Sequence, residues 1–170
     1  MNDPTAVASA QERVQEMIEA GAPLRETLDE LVRLVENDTA SGMLASILLL
    51  EGNQLRHGAA PSLPDAYNAA IDGIEIGPEV GSCGTAAFHD KTVVVYDIAT
   101  NPLWANFKEL ALAHGLRACW STPIHGRDGR ILGTFANYYP VVRDPNPIDR
   151  VLTEQVTRTA AEAIERSLSS

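Results

Sequence analysis

Cysteine, aromatic side chains, positive charge and long apolar runs are all scarce in this chain of 170 residues. Its two cysteines, Cys83 and Cys119, stand far apart with no Cys-x-x-Cys, so they make neither a disulfide framework nor a zinc site. None of the four histidines (His57, His89, His114 and His125) is spaced from another His, Cys or carboxylate as zinc ligands are, and no metal is expected. Lys and Arg number 13 against 23 Asp and Glu, for a formal net charge of −10. A nucleic-acid surface needs a basic stripe, so that partner class is excluded. A small anion is not excluded, because one helix end or one Arg is enough to attract it. No apolar stretch approaches spanning length, and the N-terminus lacks a basic segment followed by an apolar run, so no membrane association is expected. Phosphate-cradling loops, a Ser-His-Asp set, acid pairs, repeats and low-complexity tracts are also missing. What remains is an acidic domain, expected to be soluble and cytoplasmic, whose 45% apolar content suffices for one core.

Residues 1–22 read as an N-terminal helix, 23–147 as a core and 148–170 as a C-terminal helix, all within one domain. In the first helix Val7, Ala10, Val14, Met17 and Ile18 recur at helical spacing, and Gly21 stops it. Pro23 suits the first turn of a second helix, on which Leu24, Leu28, Leu31, Val32 and Val35 share a face. Strands are expected over Leu44–Leu50 and Leu55–Ala59, with the turn Glu51-Gly52-Asn53-Gln54 between them. Pro64 opens a short helix through Ala70, and Gly73–Gly84 reads as loop. Thr85–His89 makes about one helical turn, Val93–Ile98 is a buried β-branched strand, and Phe107–Ala113 is a helix ended at Gly115. His114, just before that glycine, is better placed to bond the last carbonyls than to bind haem or act as a switch. Strands at Ala118–Ile124 and Arg130–Tyr138 flank an Asp128-Gly129 hairpin turn. A proline-rich loop leads to a last helix with Ile148, Leu152, Val156, Ala160, Ile164 and Leu168 spaced by four. That order is an α+β layer architecture with five strands, mostly antiparallel.

Two local signatures carry chemistry. Gly81-Ser82-Cys83-Gly84-Thr85-Ala86-Ala87 is a small-residue turn entering a helix, where free amides favour an anion or carbonyl oxygen unless Ser82 or Thr85 satisfies them itself. Cys83 sits where a helix start lowers a thiol pKa, although such cysteines are more often inert small hydrophobes. Cys119 falls inside a strand and reads as core; the spacing does not say whether the two thiols meet. Trp104, in a loop after Asn101-Pro102, is costly to expose unless it lids something. Trp120 alternates with Cys119 and Ser121, so they face opposite sides of the sheet. Core filling and ligand contact remain equal readings for both tryptophans, with Phe107, Phe135, Asn137 and Tyr138 as weaker cavity candidates. The striped terminal helices dock on their own sheet or pair in a two-fold dimer.

Three stretches together resemble a GAF domain. They are the Gly81–Ala87 turn, Tyr96-Asp97-Ile98-Ala99-Thr100-Asn101-Pro102-Leu103-Trp104, and Leu110 to Ile124 with its continuation Gly129 to Ala136. The resemblance covers about Pro23 to Arg166 and is to small-molecule-sensing modules found beside histidine kinases and regulators in bacteria. It implies a central antiparallel sheet of five to six strands, with terminal helices bundled on one face and pocket-forming loops and short helices on the other. It also implies a ligand among Cys83, Gly84, Thr85, Ala86, Trp104, Phe107, Trp120 and Ser121, with no catalytic residue. The cyclic-nucleotide signature is absent, and Cys83 is followed by Gly84 where bilin-binding branches often have His. Free methionine sulfoxide reductases share the Cys-Gly-Thr-Ala turn but use further cysteines in a loop that this chain lacks. A nitrate-binding GAF sensor uses helix N-termini, which the Cys83–Ala86 turn would suit. The ligand therefore stays open between a small organic molecule and a small anion, with little support for haem. With no transmitter, kinase, cyclase or DNA-binding segment after Arg166, signalling is expected through a homodimer, a histidine kinase or another module, or a longer parent chain. A thiol reductase using Cys83 and a ligand-free dimerisation module are the alternatives.

Overall fold

Six antiparallel strands form one sheet in the order β3-β2-β1-β6-β5-β4. They are β1 (Leu44–Glu51), β2 (Gln54–Ala59), β3 (Ile74–Glu75), β4 (Val93–Val95), β5 (Ala118–His125) and β6 (Ile131–Tyr139). The helices are α1 (Pro4–Glu19), α2 (Leu24–Asp38), α3 (Asp65–Ile71), α4 (Cys83–His89), α5 (Lys108–Ala113) and α6 (Pro147–Ser169), with a 3-10 turn at Pro102–Trp104. This computed structural model describes residues 4–38 and 42–169, and the side chains of 12–37 and 42–168.

Alternation along the strands divides the core into two layers. On one face Ala45, Ile47, Ala118, Trp120, Ile124, Phe135 and Tyr139 pack against Val14, Ile18, Leu28, Val32, Val156, Ala160 and Ile164 of α1, α2 and α6. On the other, Leu48, Leu55, Cys119, Ala136 and Tyr138 lie beneath a roof built from α3, α4, the 3-10 turn and α5. The terminal-helix stripes thus dock on their own sheet through their middles. Ile148 and Leu168, at the two ends of the α6 stripe, remain 67% and 66% exposed. Val7 and Ala10 of the first stripe lie outside the described side chains.

Local chemistry sets the element ends. Gly21 (φ 73°) closes α1: its N–H donates to the Ile18 carbonyl and that of Ala22 to the Met17 carbonyl, a Schellman stop. Asn146 and Asp149 start α6 by reciprocal capping, each side chain accepting the other's backbone N–H at 2.9 and 2.8 Å. Two expectations need correction. The Gly73–Gly84 segment contains β3, too short for a period to show. The expected strand over Val93–Ile98 stops at Val95, because Asp97 turns the chain by accepting the Ala99 N–H on its carboxylate at 3.1 Å.

Tyr139 lies in the helix-side layer at 4.6 Å from the Trp120 ring, with the Arg143 guanidinium over its face at 4.4 Å. Burial pushes its hydroxyl from 10.0 up to about 12, against the lowering effect of Arg143. The unfolded chain then gives up this proton before the folded one does, so the stability it contributes is complete below pH 10.0 and lost as pH rises through about 12. Burial likewise raises Tyr67 and Tyr138. The urea midpoint is expected to fall across this alkaline range, and Tyr139→Phe to flatten the fall. An equal slope in that variant would show that Tyr139 is not one of the linked groups.

Candidate functional site

Beneath the roof, register brings together hydroxyls and thiols that are remote in sequence. Ser46 on β1 pairs with Ala136 on β6, Ala136 with Ser121 on β5, and Ser121 with Val93 on β4. Flanking Ala136 on its own strand and face are Thr134 and Tyr138. Cys119, two residues before Ser121, completes this side of β5. The centre of the roofed face is thus the small methyl of Ala136, framed by the hydroxyls of Ser46, Ser121 and Thr134.

The first turn of α4 lies over this row. Cys83 Sγ is 2.9 Å from Ser121 Oγ, and Cys119 Sγ is 3.9 Å from the same oxygen. Both thiols are free. The Cys119 thiol, then the Ser121 and Thr134 hydroxyls, draw the Cys83 thiol down from 9.0 to about 7 against the cost of burial. Burial and the neighbouring Cys83 hold Cys119 well above its usual value. The two thiols are thus pushed in opposite directions, Cys83 down and Cys119 up, and they titrate as one linked pair.

Ser82 links the roof to the sheet. Its hydroxyl donates to the Cys119 carbonyl at 3.0 Å and accepts the indole N–H of Trp104 at 3.0 Å. Trp104 also meets the Tyr138 ring edge-on at 6.5 Å, and Tyr138 shares a hydrogen bond with Tyr67 at 3.0 Å between the two hydroxyls. Gly81 holds φ 57° directly under Trp104, where an added Cβ would meet the indole at 3.7 Å, with Phe107 at the edge of the same contact. A Cβ on Gly84 would fall 2.7 Å from the Val80 side chain, so the roof loop seats only on a glycine here. Thr85 is consumed locally: it donates to the Gly81 carbonyl at 2.6 Å and accepts from the Val80 N–H at 3.0 Å. Ala86 is fully buried in the same layer.

Cys83, Gly84, Thr85, Ala86, Trp104, Phe107 and Ser121 thus gather on the roofed side. Trp120 does not join them. Its indole packs on the helix side against Tyr139, donates to the Arg143 carbonyl at 3.0 Å and lies under the Arg143 guanidinium, which pairs with Asp149 of α6. A single cavity walled by both tryptophans is therefore corrected: period 2 puts Trp120 on the face opposite Ser121. Phe135 and Asn137, the weaker cavity candidates, also face the helices, with the Asn137 amide 2.8 Å from the Met43 sulfur. Only Phe107 and Tyr138 of that group lie under the roof.

Two residues of the roofed face carried no signal in the sequence. Ser46 and Thr134 are fully buried, and neither hydroxyl has a hydrogen-bond partner of ordinary geometry among the described residues. Each such group costs about 1–3 kcal/mol of lost hydration. Surface clefts of about 470 and 390 Å3 occur elsewhere, one beside the β5–β6 turn and α6 and one where the α1–α2 turn meets α6. Among the described residues no three His, Cys, Asp or Glu gather to hold a metal, and no helix is long and apolar enough to cross a membrane.

Comparison with known proteins agrees with this architecture. The family model described as GAF domain matches residues 21–165. A methyl sulfide methyltransferase-associated sensor from Methanosarcina acetivorans is 40% identical over 138 residues, which are 80% of this chain and 14% of that protein. The GAF domain of a phosphoenolpyruvate-protein phosphotransferase from Coxiella burnetii superposes with a TM-score of 0.75 at 13% identity, over 97% of this chain and 96% of that one. A free methionine-R-sulfoxide reductase from Neisseria meningitidis, solved with its substrate, gives 0.72 at 15% identity over 99% and 95%. At those identities the two structures speak for the fold alone. The match over 21–165, on a six-stranded sheet with helices on one face and a roof on the other, shows that this chain belongs to the GAF domain family.

Proposed function

We propose that this domain is a cytoplasmic sensor that takes a small, uncharged, hydrogen-bonding molecule under the roof, centred on Ala136. The observation that carries the reading is the buried Ser46 hydroxyl, which has no partner among the described residues, together with the buried Thr134 hydroxyl, which has only the Cys83 sulfur to turn to and no bond of ordinary geometry. A ligand with its own donors and acceptors would relieve both. Lys and Arg are missing from the described groups around Ala136, and α4 is only seven residues long, which favours a neutral ligand over an anion. A sensor-named relative at 40% identity supports the sensory role.

Removing an unsatisfied hydroxyl removes its desolvation cost, so Ser46→Ala is expected to stabilise the empty protein by about 1 kcal/mol. It should also weaken ligand binding by about tenfold or more, a loss of roughly 1.4 kcal/mol or more. Native mass spectrometry, repeated after denaturation, would first reveal any co-purified ligand. Retention of that ligand by Thr134→Val and Ser46→Ala at wild-type levels would refute the assigned site. Output in this reading passes through α1 and α6 to a second copy, a histidine kinase or another signalling module. The same spectra count subunits, and monomers at every concentration would rule out the second copy.

One observation favours a second reading, a thiol reductase acting on a sulfoxide through Cys83. Cys119 stands beside Cys83 as a resolving partner, although it lies in a strand. That reading requires sulfoxide turnover with a thiol donor, abolished in Cys83→Ser.

A further inference from the structure

We infer that Cys83 and Cys119 form a reversible dithiol–disulfide couple, oxidised by a small hydroperoxide, that changes how the roof seats on the sheet. The inference stands on the thiol geometry and does not depend on the ligand reading.

Both sulfurs flank one hydroxyl, at 2.9 and 3.9 Å from Ser121 Oγ, which keeps them within about 7 Å of each other. Ser121 thus bridges the two thiols, each of them near its hydroxyl. They belong to different layers, Cys83 to the first turn of α4 and Cys119 to β5, so a bond between them would tie roof to sheet. Their exposure is unequal. Cys83 keeps 9% of its surface and Cys119 none, so a small oxidant reaches Cys83 first. The lowered Cys83 thiol supplies the thiolate that such a reaction needs.

The surroundings favour the oxidised product. Lys, Arg and His are not among the groups drawn against the two sulfurs, so a thiolate there is stabilised only by hydroxyls and the other thiol. A disulfide carries no charge and needs no hydration. The chemistry is balanced by one hydroperoxide. The Cys83 thiolate attacks the terminal peroxide oxygen; the O–O bond breaks, and the alcohol leaves after taking up a proton. Cys83 is then a sulfenic acid. The Cys119 sulfur attacks it, the S–S bond forms as the S–O bond breaks, and the departing hydroxide leaves as water with the Cys119 proton. Two thiols and a hydroperoxide become a disulfide, an alcohol and water.

Forming a bond of about 2.05 Å requires the sulfurs to leave their places on either side of the Ser121 hydroxyl and close on each other, drawing the start of α4 and β5 together. Next to Cys83, Ser82 is held by the Cys119 carbonyl and the Trp104 indole, so the closure is transmitted to Trp104.

The test uses the reduced full chain in air-free buffer. It is exposed to hydrogen peroxide, then denatured in an alkylating agent and weighed intact. The expected result is the loss of two hydrogen masses with neither cysteine alkylated, reversed by dithiothreitol. A change in tryptophan emission should accompany it and disappear in Trp104→Phe. In Cys119→Ser the reaction should stop at a sulfenic acid on Cys83 that dimedone traps; in Cys83→Ser, Cys119 should stay a thiol. Overturning results are two alkylated cysteines after excess peroxide, over-oxidised Cys83 without a disulfide, or a disulfide between chains. Oxidation by methionine sulfoxide but not by peroxide would also overturn the proposal and assign the pair to the reductase reading. The wild-type mass measurement decides even where a serine variant fails to fold. It bears on the thiols alone, so its failure would leave the Ala136-centred ligand site standing.

Discussion

Trp104→Ala is expected to lower stability by about 3–5 kcal/mol and to speed alkylation of Cys83 in the folded state by about tenfold or more. Trp120→Ala should cost about as much stability yet leave Cys83 as slow to react as before. Both indoles are 4% exposed, so truncating either one leaves a large hole. Their faces differ. Trp104 covers the start of α4, with its N–H on the Ser82 hydroxyl next to Cys83, and its removal frees that hydroxyl and uncovers the thiol. Trp120 anchors the helix layer through Tyr139, Arg143 and the Arg143–Asp149 pair, with the sheet between it and the thiols. Urea denaturation gives the first quantity, and timed alkylation followed by mass spectrometry the second. Equal acceleration of Cys83 in both variants would mean that the sheet does not separate the two environments. A stability loss under about 1 kcal/mol in either would contradict its core assignment.

Gly133→Ala should be among the most damaging single-methyl additions in the chain. Gly133 sits in β6 between Leu49 of β1 and Ile124 of β5, where an added Cβ would run into the Leu48 carbonyl oxygen. That oxygen belongs to the backbone of a central strand, so it has no rotamer by which to move aside. Spreading β1 from β6 is the only relief, and about 3 kcal/mol or more is expected to be lost. For a chain of this size that is a fall of roughly 6–12 °C in Tm. Gly129→Ala is the contrast, at the tip of the β5–β6 turn. No atom lies within 4 Å of its added Cβ, so only the positive φ of 83° opposes it, at about 1–2 kcal/mol. Scanning calorimetry of the two variants separates steric overlap from backbone strain. Equal losses would show that the close approach of β1 and β6 does not govern.

Period and punctuation made the elements legible in the sequence. The apolar stripes of α2 and α6, the Gly21 stop and the Asp128-Gly129 turn each encode their local structure within a few residues. The roofed site was only half legible. The Gly81–Ala87 turn declared itself through its run of small residues, and the alternation of Cys119, Trp120 and Ser121 was plain. Alternation alone, however, does not say which face meets the helices, and grouping Trp120 with Trp104 by neighbouring motifs overlooked the period. Ser46 and Thr134 looked like ordinary strand residues because their meaning lies in register: it takes β1, β6 and β5 side by side to set them around Ala136. The meeting of Cys83 with Cys119 is likewise a tertiary fact. A helix start and a strand lie over one another only once the roof has closed.

The sheet ends on β3, two residues long, and β4, three residues long, the latter cut short by the Asp97 turn. A partner strand laid along either border would find two or three rungs before the backbone veered away, too few to hold another chain. The fold thereby protects itself against ribbon-like stacking and fibril growth at its margins. Any lasting association between copies must use side-chain surfaces, and the exposed Ile148, Val151 and Leu168 of α6 are apolar groups still available for it.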